Sequence, residues 1–203
     1  MKHESGMVKT LSEVQAAEYF PNRKAPLPCN GELTFPFLPR GSFALGAPRE
    51  AEMVLMRRLD RITVHHSGFP DPFTTAALPA TASYLREIYN FHTGKANGQR
   101  GWADFGYHFA IDRAGRVWQL RPLHFQGAHV RNHNANNAGI VVLGNFDLQE
   151  PVKPQLATLR DFLNWLRQVY ALPEQAIQTH TQQADSPTNC PGRLLIQAIA
   201  SPA

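Results

Sequence analysis

The fold prediction rests on one polar stretch near the C-terminal end, Gln178-Thr-His180-Thr-Gln-Gln-Ala-Asp-Ser-Pro-Thr188-Asn-Cys190-Pro-Gly192. An imidazole and a thiol, both common zinc ligands, stand on either side of a loop of polar and turn-forming residues. The loop is long enough to fold back, so that His180 and Cys190 can point at one ion. A catalytic zinc ion usually takes three ligands from the protein and leaves a fourth position for water, so a third ligand has to come from elsewhere.

The candidate third ligand lies in a second segment, Arg61-Ile-Thr-Val-His65-His66-Ser67. Its apolar and β-branched residues predict a buried strand, and the end of a strand can hold a ligand in a fixed position. Alternation along the strand directs His66 to the opposite face from His65, as a core or supporting residue. His65 is therefore the candidate that would join His180 and Cys190. A lone histidine at a strand end is more often a structural residue, which is the alternative for His65, and a buried thiol that caps the last helix is the alternative for Cys190.

Further strands are predicted along the chain. Residues 106–112 and 116–120 flank a glycine-containing turn and predict a hairpin. Residues 139–143 are almost wholly apolar, as expected of a central strand that is covered on both faces. Residues 177–180 predict a short strand that ends at the candidate ligand His180.

Helices are predicted between and after these strands. The clearest one opens at Pro154, since proline suits the first turn, and it keeps an apolar face until Pro173. A second helix is expected over residues 81–92, with Thr81 as its N-cap. Shorter helices are predicted over residues 51–59 and 194–200. The fold class is therefore α/β, with a central mixed β-sheet flanked by helices.

The N-terminal part of the chain has a different character. Residues 11–20 predict a short helix with Ser12 as its cap, and residues 21–48 are rich in proline and glycine, which prevents long elements. We expect residues 1–50 to form an extended N-terminal arm with a short helix, lying on a single domain of residues 51–203.

Composition limits the function classes. The 203 residues are 43% hydrophobic and 18% charged, which is typical of a globular domain with a proper core. The net charge of +4 comes from scattered residues, so no nucleic-acid partner is expected. No apolar run is long enough for a membrane span, and no signal peptide is visible. The location is therefore open between the cytoplasm and export by a route without a recognisable signal. A monomer is expected. Two cysteines are too few for a disulfide framework.

An ordered set of motifs covers about residues 60–200. It consists of Gly101-Trp-Ala-Asp-Phe-Gly-Tyr107-His-Phe-Ala-Ile-Asp-Arg-Ala-Gly115, Gly127-Ala-His129, Asn132-His-Asn134, Gly139-Ile-Val-Val-Leu-Gly144 and the stretch from His180 to Gly192. Each motif is weak alone, but the ordered set closely resembles the zinc amidases that include phage lysozyme-type amidases and peptidoglycan recognition proteins. The resemblance implies their fold and N-acetylmuramoyl-L-alanine amidase activity, in which a zinc-activated water hydrolyses the amide between the muramic acid lactyl group and L-alanine of the stem peptide.

The resemblance also implies roles for individual residues. One Zn²⁺ ion is expected, with His65, His180 and Cys190 as its ligands and peptidoglycan or muropeptide fragments as the partner. Tyr107 and Thr188 fall on catalytic positions of the family, and His129 falls on a histidine that lines the substrate groove.

Two further residues are candidates for contacts with the stem peptide. Trp102 could contact it directly, with a structural loop anchor as the equal alternative. Arg131 could pair with a stem carboxylate, because arginine binds carboxylates in bidentate fashion.

Two other functions fit the same motifs. A non-catalytic module could bind muropeptides without cutting them, but such receptors typically lose the cysteine ligand, and this chain has both Cys190 and Tyr107. A structural zinc domain would need a fourth protein ligand, for which His129 is the candidate.

Overall fold

The centre of the fold is a mixed five-stranded sheet. The computed structural model describes residues 9–11, 35–43, 46–183, 185 and 187–200. In the N-terminal part, β1 (Lys9–Leu11) and β2 (Phe35–Phe37) form a separate antiparallel pair. The central sheet consists of β3 (Arg61–His66), β4 (Phe109–Ile111), β5 (Val117–Gln119), β6 (Asn137–Val142) and β7 (Ile177–Thr179). Its spatial order is β5-β4-β6-β3-β7, with β5 antiparallel to β4 and the remaining neighbours parallel.

Helices cover both faces of this sheet. They are α1 (Leu78–Thr93), α2 (Lys153–Val169), α3 (His180–Gln183) and α4 (Arg193–Ala200). The apolar stripe of α2 packs on one face, against Ile62 and Val64 of β3, and α1 packs on the other, against Val141 of β6. Every residue of β6 is buried, as its apolar sequence predicted. The predicted α/β class with a mixed sheet flanked by helices is confirmed.

Strand alternation decides which face carries each histidine of β3. Ile62 and Val64 belong to the core on the α2 side, so His65 points to the α1 side and His66 points back. His66 is buried, stacks on Phe146 and accepts the backbone N–H of that residue at Nδ1, 3.2 Å away. The expectation that His66 is a core or supporting residue therefore agrees with its contacts.

Two predicted helices differ in the structure. Residues 51–59 form only a single 3₁₀ turn, Glu50–Glu52. The following residues pair with a remote segment instead: Gln126 donates its backbone N–H to the carbonyl of Val54, and Leu55 bridges Phe125. The helix predicted over residues 81–92 begins earlier, at Leu78.

Ala77 is the N-cap of α1 and a proline stands in its first turn, which explains the earlier start. Thr81 lies inside that turn and donates its hydroxyl to the carbonyl of Ala77. The last helix also starts one residue early, at Arg193.

The described part of the arm is packed onto the domain. The backbone N–H of Leu38 donates to the carbonyl of Val117, and the carbonyl of Leu38 accepts the N–H of Gln119. These two bonds form a parallel bridge at the outer edge of β5. The side chains of Phe37, Leu38 and Phe43 are buried. The helix predicted over residues 11–20 lies outside the described residues, apart from Leu11 at the end of β1, and the domain boundary at residue 50 stays a prediction.

The helices of the described ranges are between four and 17 residues long. Within the described ranges, none of them is both long enough and apolar enough to cross a membrane.

Candidate metal centre and pocket

Three side chains converge at the carboxyl ends of two neighbouring strands. The nearest ligand atoms of His65, His180 and Cys190 all lie within 4.8 Å of one another. The Cys190 sulfur is 3.5 Å from His65 Nδ1, and the rings of His65 and His180 have centroids 4.6 Å apart. The structure therefore brings together the three residues that the sequence predicted as ligands.

The sheet topology explains this convergence. β7 runs parallel to β3, so His180, directly after β7, lies beside the end of β3 that carries His65. The chain then returns, and Thr181 donates its backbone N–H to the carbonyl of Cys190 at 3.0 Å. Gly192 follows with a φ of +91°, and a Cβ there would lie 2.5 Å from the carbonyl carbon of Phe146. Only glycine fits this close approach at a left-handed φ.

A closed ring of buried amide and hydroxyl groups fixes α3. Thr63 donates to Asn137 Oδ1 at 2.9 Å, Asn137 donates to Gln183 Oε1 at 3.0 Å, and Gln183 donates back to the Thr63 hydroxyl at 2.6 Å. Because Gln183 is the last residue of α3 and His180 is the first, this ring fastens the ligand-bearing helix to β3 and β6.

The protonation states of the two histidines suit a divalent cation, whereas the thiol has to lose its proton. Burial lowers the pKa of His65 well below its usual range, helped by the nearby His129 and His180, and burial also lowers the pKa of His180. Both imidazoles are therefore neutral, which is the form that binds metal. Burial raises the pKa of the Cys190 thiol to about 12. A hydrogen bond from the backbone N–H of His66 to the sulfur opposes this rise. Metal binding would displace the thiol proton.

The donor set fits zinc. Imidazole and thiolate are both zinc ligands, and three protein ligands are the usual number at a catalytic zinc site. Among the residues that the structure describes, no fourth His, Cys, Asp or Glu joins the group, which leaves a position for water.

A pocket of about 240 Å³ opens beside this group. Its lining includes Trp102, Tyr107, His129 and His180, so the predicted site residues other than Thr188 and Arg131 meet at or next to it. The Tyr107 ring lies 5.1 Å from that of His65, and burial raises the pKa of its hydroxyl far above the usual range. The hydroxyl has no hydrogen-bond partner within the described part of the chain, so it can donate to a ligand.

His129 lines the pocket and is buried. Its Nδ1 lies 3.0 Å from His65 Nε2, and its Nε2 lies 3.1 Å from the carbonyl oxygen of Asn137. Burial lowers the pKa of His129 to about 3, so the ring is neutral at physiological pH. Both ring nitrogens are engaged within the protein. The substrate-groove role that the resemblance implies for His129 stays a prediction.

Thr188 and Arg131 lie outside the pocket lining. The Thr188 hydroxyl accepts the backbone N–H of Cys190 at 3.2 Å and so supports the turn that carries the thiol. Arg131 is exposed. In the neighbouring loop, Asp185 accepts hydrogen bonds from Asn132 and His133 at 2.9 and 2.7 Å, which ties the ligand loop to the segment after His129.

Sequence reasoning did not single out His92 or Arg100, which also line the pocket. His92, at the end of the helix predicted over residues 81–92, is buried, lies with its ring 4.8 Å from a ring of Trp102 in a tilted arrangement, and accepts the backbone N–H of Gly106. Arg100, within a glycine-rich loop, places its guanidinium 5.3 and 5.8 Å from the ring centres of Phe91 and Trp102. The sequence carried no clear signal for Arg100, because its immediate neighbours are Gln99 and Gly101, and Phe91 lies nine residues before it.

The fold and this group of side chains together define a class. A mixed sheet that gathers two histidines and a cysteine beside an aromatic pocket is the arrangement expected of the amidases and peptidoglycan recognition proteins. Residues 55–193 match the Amidase_2 family, described as N-acetylmuramoyl-L-alanine amidase, and the chain belongs to this family.

Individual relatives agree with this assignment. The N-acetylmuramoyl-L-alanine amidase of Homo sapiens is 29% identical over 163 residues, which are 79% of this chain and 27% of that protein. The endolysin of Enterobacteria phage K11 is 32% identical over 112 residues, 53% of this chain and 68% of the endolysin. The chain thus spans about a quarter of the length of the human relative.

Solved structures show the same fold. Drosophila PGRP-LB superposes with a TM-score of 0.69 at 25% identity, covering 82% of this chain and 94% of that one. A mutant of PGRP-LB in complex with tracheal cytotoxin gives the same TM-score and identity over 81% and 93% of the two chains.

Proposed function

We propose that the chain is a zinc-dependent N-acetylmuramoyl-L-alanine amidase that cleaves the amide between the muramic acid lactyl group and L-alanine of the peptidoglycan stem. The observation that carries the proposal is the complete His65, His180 and Cys190 group, with ligand atoms within 4.8 Å of one another at the edge of a pocket. The family and the relatives named as amidases support the reaction.

The chain's own residues have distinct tasks in this reaction. A zinc ion held by the three ligands would polarise the amide carbonyl and lower the pKa of a bound water. Tyr107 remains protonated at neutral pH and can donate a hydrogen bond to the negative charge that develops on the carbonyl oxygen. The pocket is lined mainly by half-buried side chains, so it is open enough for a substrate to reach the Tyr107 hydroxyl.

Trp102 and Arg100 are the proposed substrate-holding residues. Trp102 offers an aromatic surface, and Arg100 offers a guanidinium that can pair with a carboxylate of the stem peptide. Arg131 does not line the pocket, and the contact with a stem carboxylate that sequence reasoning gave to it stays a prediction. The PGRP-LB complex with tracheal cytotoxin supports a muropeptide as the ligand.

Recognition without cleavage is the second candidate, since several structural neighbours are named as recognition proteins. The discriminating experiment measures release of free stem peptide from insoluble peptidoglycan and from a soluble muropeptide, with zinc and after chelation. Cys190→Ser serves as the matched variant. The amidase proposal predicts zinc-dependent release that chelation and Cys190→Ser abolish, while muropeptide binding by Cys190→Ser persists.

Two outcomes would contradict the amidase proposal. Tight muropeptide binding without release in the presence of zinc would make the chain a recognition module. Loss of folding in Cys190→Ser, with no release by the unaltered protein, would indicate a structural metal site.

A further inference from the structure

A short relay of hydrogen bonds ends at His65. The carbonyl oxygen of Asn137 can only accept, so His129 carries its proton on Nε2, 3.1 Å away. The Nδ1 of His129 then has a free lone pair and accepts the Nε2–H of His65 across 3.0 Å. His65 therefore presents an unprotonated Nδ1 on its other side, where the Cys190 sulfur lies 3.5 Å away. The network assigns both tautomers.

Close packing keeps His129 in this orientation. A Cβ added at Gly127 would lie 2.5 Å from Cδ2 of the His129 ring, and one added at Gly139 would lie 2.7 Å from the same atom. Asn134 Oδ1 accepts the backbone N–H groups of both His129 and Val130 at 2.8 Å, which fixes the loop that carries the ring. The imidazole thus fills a slot that two glycines leave open.

We propose that His129 is a positioning residue that fixes the tautomer and orientation of His65, so that Nδ1 of His65 faces the metal centre. The proposal rests on the zinc function proposed above. His129 acts through His65 and the backbone of Asn137, and its nitrogens have no capacity left for substrate. Partners of this kind on the far side of a ligating histidine typically change metal affinity by about 10- to 100-fold when they are lost.

The test compares two substitutions of His129. His129→Ala removes the acceptor, whereas His129→Asn replaces the ring with a shorter side chain whose amide oxygen can still accept the His65 N–H. Zinc affinity is measured by competition with a chromophoric chelator. We expect His129→Ala to bind zinc roughly 10- to 100-fold more weakly and His129→Asn to recover most of the affinity.

His92→Asn is the matched control for zinc affinity. His92 is another buried histidine of the same pocket, but its hydrogen bond goes to Gly106 and not to any of the three ligands. Its substitution should leave zinc affinity unchanged. Thermal unfolding of each variant identifies any that fails to fold, and His129→Asn keeps the test valid if His129→Ala is unstable.

A second readout needs no metal. The ¹⁵N chemical shifts of His65 in the zinc-free protein should show one tautomer, protonated at Nε2, and a mixture in His129→Ala. Unchanged ¹⁵N shifts of His65 together with an unchanged zinc affinity in His129→Ala would overturn the proposal. Loss of muropeptide binding in this variant, with zinc affinity unchanged, would also overturn it. Absence of zinc binding by the unaltered protein would instead refute the proposed function, while the shifts would still test the relay.

Discussion

Replacing Arg40 with methionine tests how the arm supports the pocket. The Nη1 of Arg40 donates to Asp104 Oδ2 at 3.0 Å, lies 2.8 Å from Oδ1, and also donates to the carbonyl of Leu120 at 2.8 Å. Asp104 is completely buried, whereas the Arg40 side chain is 15% exposed. Arg121 bonds the backbone carbonyl of Asp104 and not its carboxylate, so Arg40 is the main neutralising partner.

The magnitude follows from the burial of Asp104. Removing one partner of a buried ion pair costs about 3–5 kcal/mol, because the remaining charge is left without compensation. We expect Arg40→Met to lower the free energy of unfolding by about 3 kcal/mol at neutral pH. The double variant Arg40→Met/Asp104→Asn should recover much of this loss, because no buried charge remains.

The effect should depend on pH. Burial raises the pKa of Asp104 above 3.8, and Arg40 opposes this rise. When the pKa of a carboxyl group is higher in the folded than in the unfolded protein, the free energy of unfolding decreases as the pH rises from the unfolded-state pKa to the folded-state pKa. Without Arg40 the folded-state pKa climbs further, so the difference between Arg40→Met and the unaltered protein should be smallest below about pH 4 and grow above it.

Urea unfolding followed by tryptophan fluorescence measures these differences. Arg58→Met is the matched control, because Arg58 pairs with Asp60 at 2.8 Å on the surface, where ion pairs contribute little. A loss in Arg40→Met no larger than in Arg58→Met, or a double variant as unstable as the single one, would refute the reasoning.

The site and its supports give three further predictions. Gln183→Leu opens the buried ring that holds α3 and should weaken zinc binding by roughly tenfold, measured by chelator competition; an unchanged affinity would contradict the role given to the ring. Gly192→Ala should destabilise the fold by about 1–3 kcal/mol in urea, whereas Gly98→Ala, also at a positive φ but in open space, should cost less. Arg100→Ala should raise KM roughly tenfold for a stem peptide with free carboxylates, and an equal effect on an amidated stem would argue against a carboxylate contact.

The sheet could be predicted because its strands carry their own signals. The apolar run of β6 and the β-branched residues of β3 indicate burial without knowledge of their neighbours. Residues 51–59 had no such local signal, because their backbone partners lie at residues 124–126, far away in sequence. A short segment of mixed polar and apolar residues can match the periodicity of a helix and still pair with a distant segment. Here the tertiary structure, and not the local sequence, determines the pairing.

The candidate site was predictable to the extent that residue type limits chemistry. Two imidazoles and a thiol indicated a metal, and parallel pairing of β3 with β7 brings His65 and His180 together. The partners of His129 were not predictable, since one of them is the backbone carbonyl of Asn137. Arg100 and Arg131 are both exposed loop residues, and only the folded structure shows that Arg100 lines the pocket while Arg131 does not.

The arm and the metal centre act on different parts of the site. Arg40 holds the side chain of Asp104, and Arg49 donates to the carbonyls of Gly101 and Trp102, so the arm secures the loop that leads to Tyr107. The three metal-binding candidates belong to β3, α3 and the turn before α4, which the arm arginines do not contact in the described structure. A substitution that weakens the contacts of the arm with this loop should therefore displace Trp102 and raise KM, while the zinc affinity stays unchanged. A fall in zinc affinity in Arg40→Met would show that the loop and the metal centre are coupled.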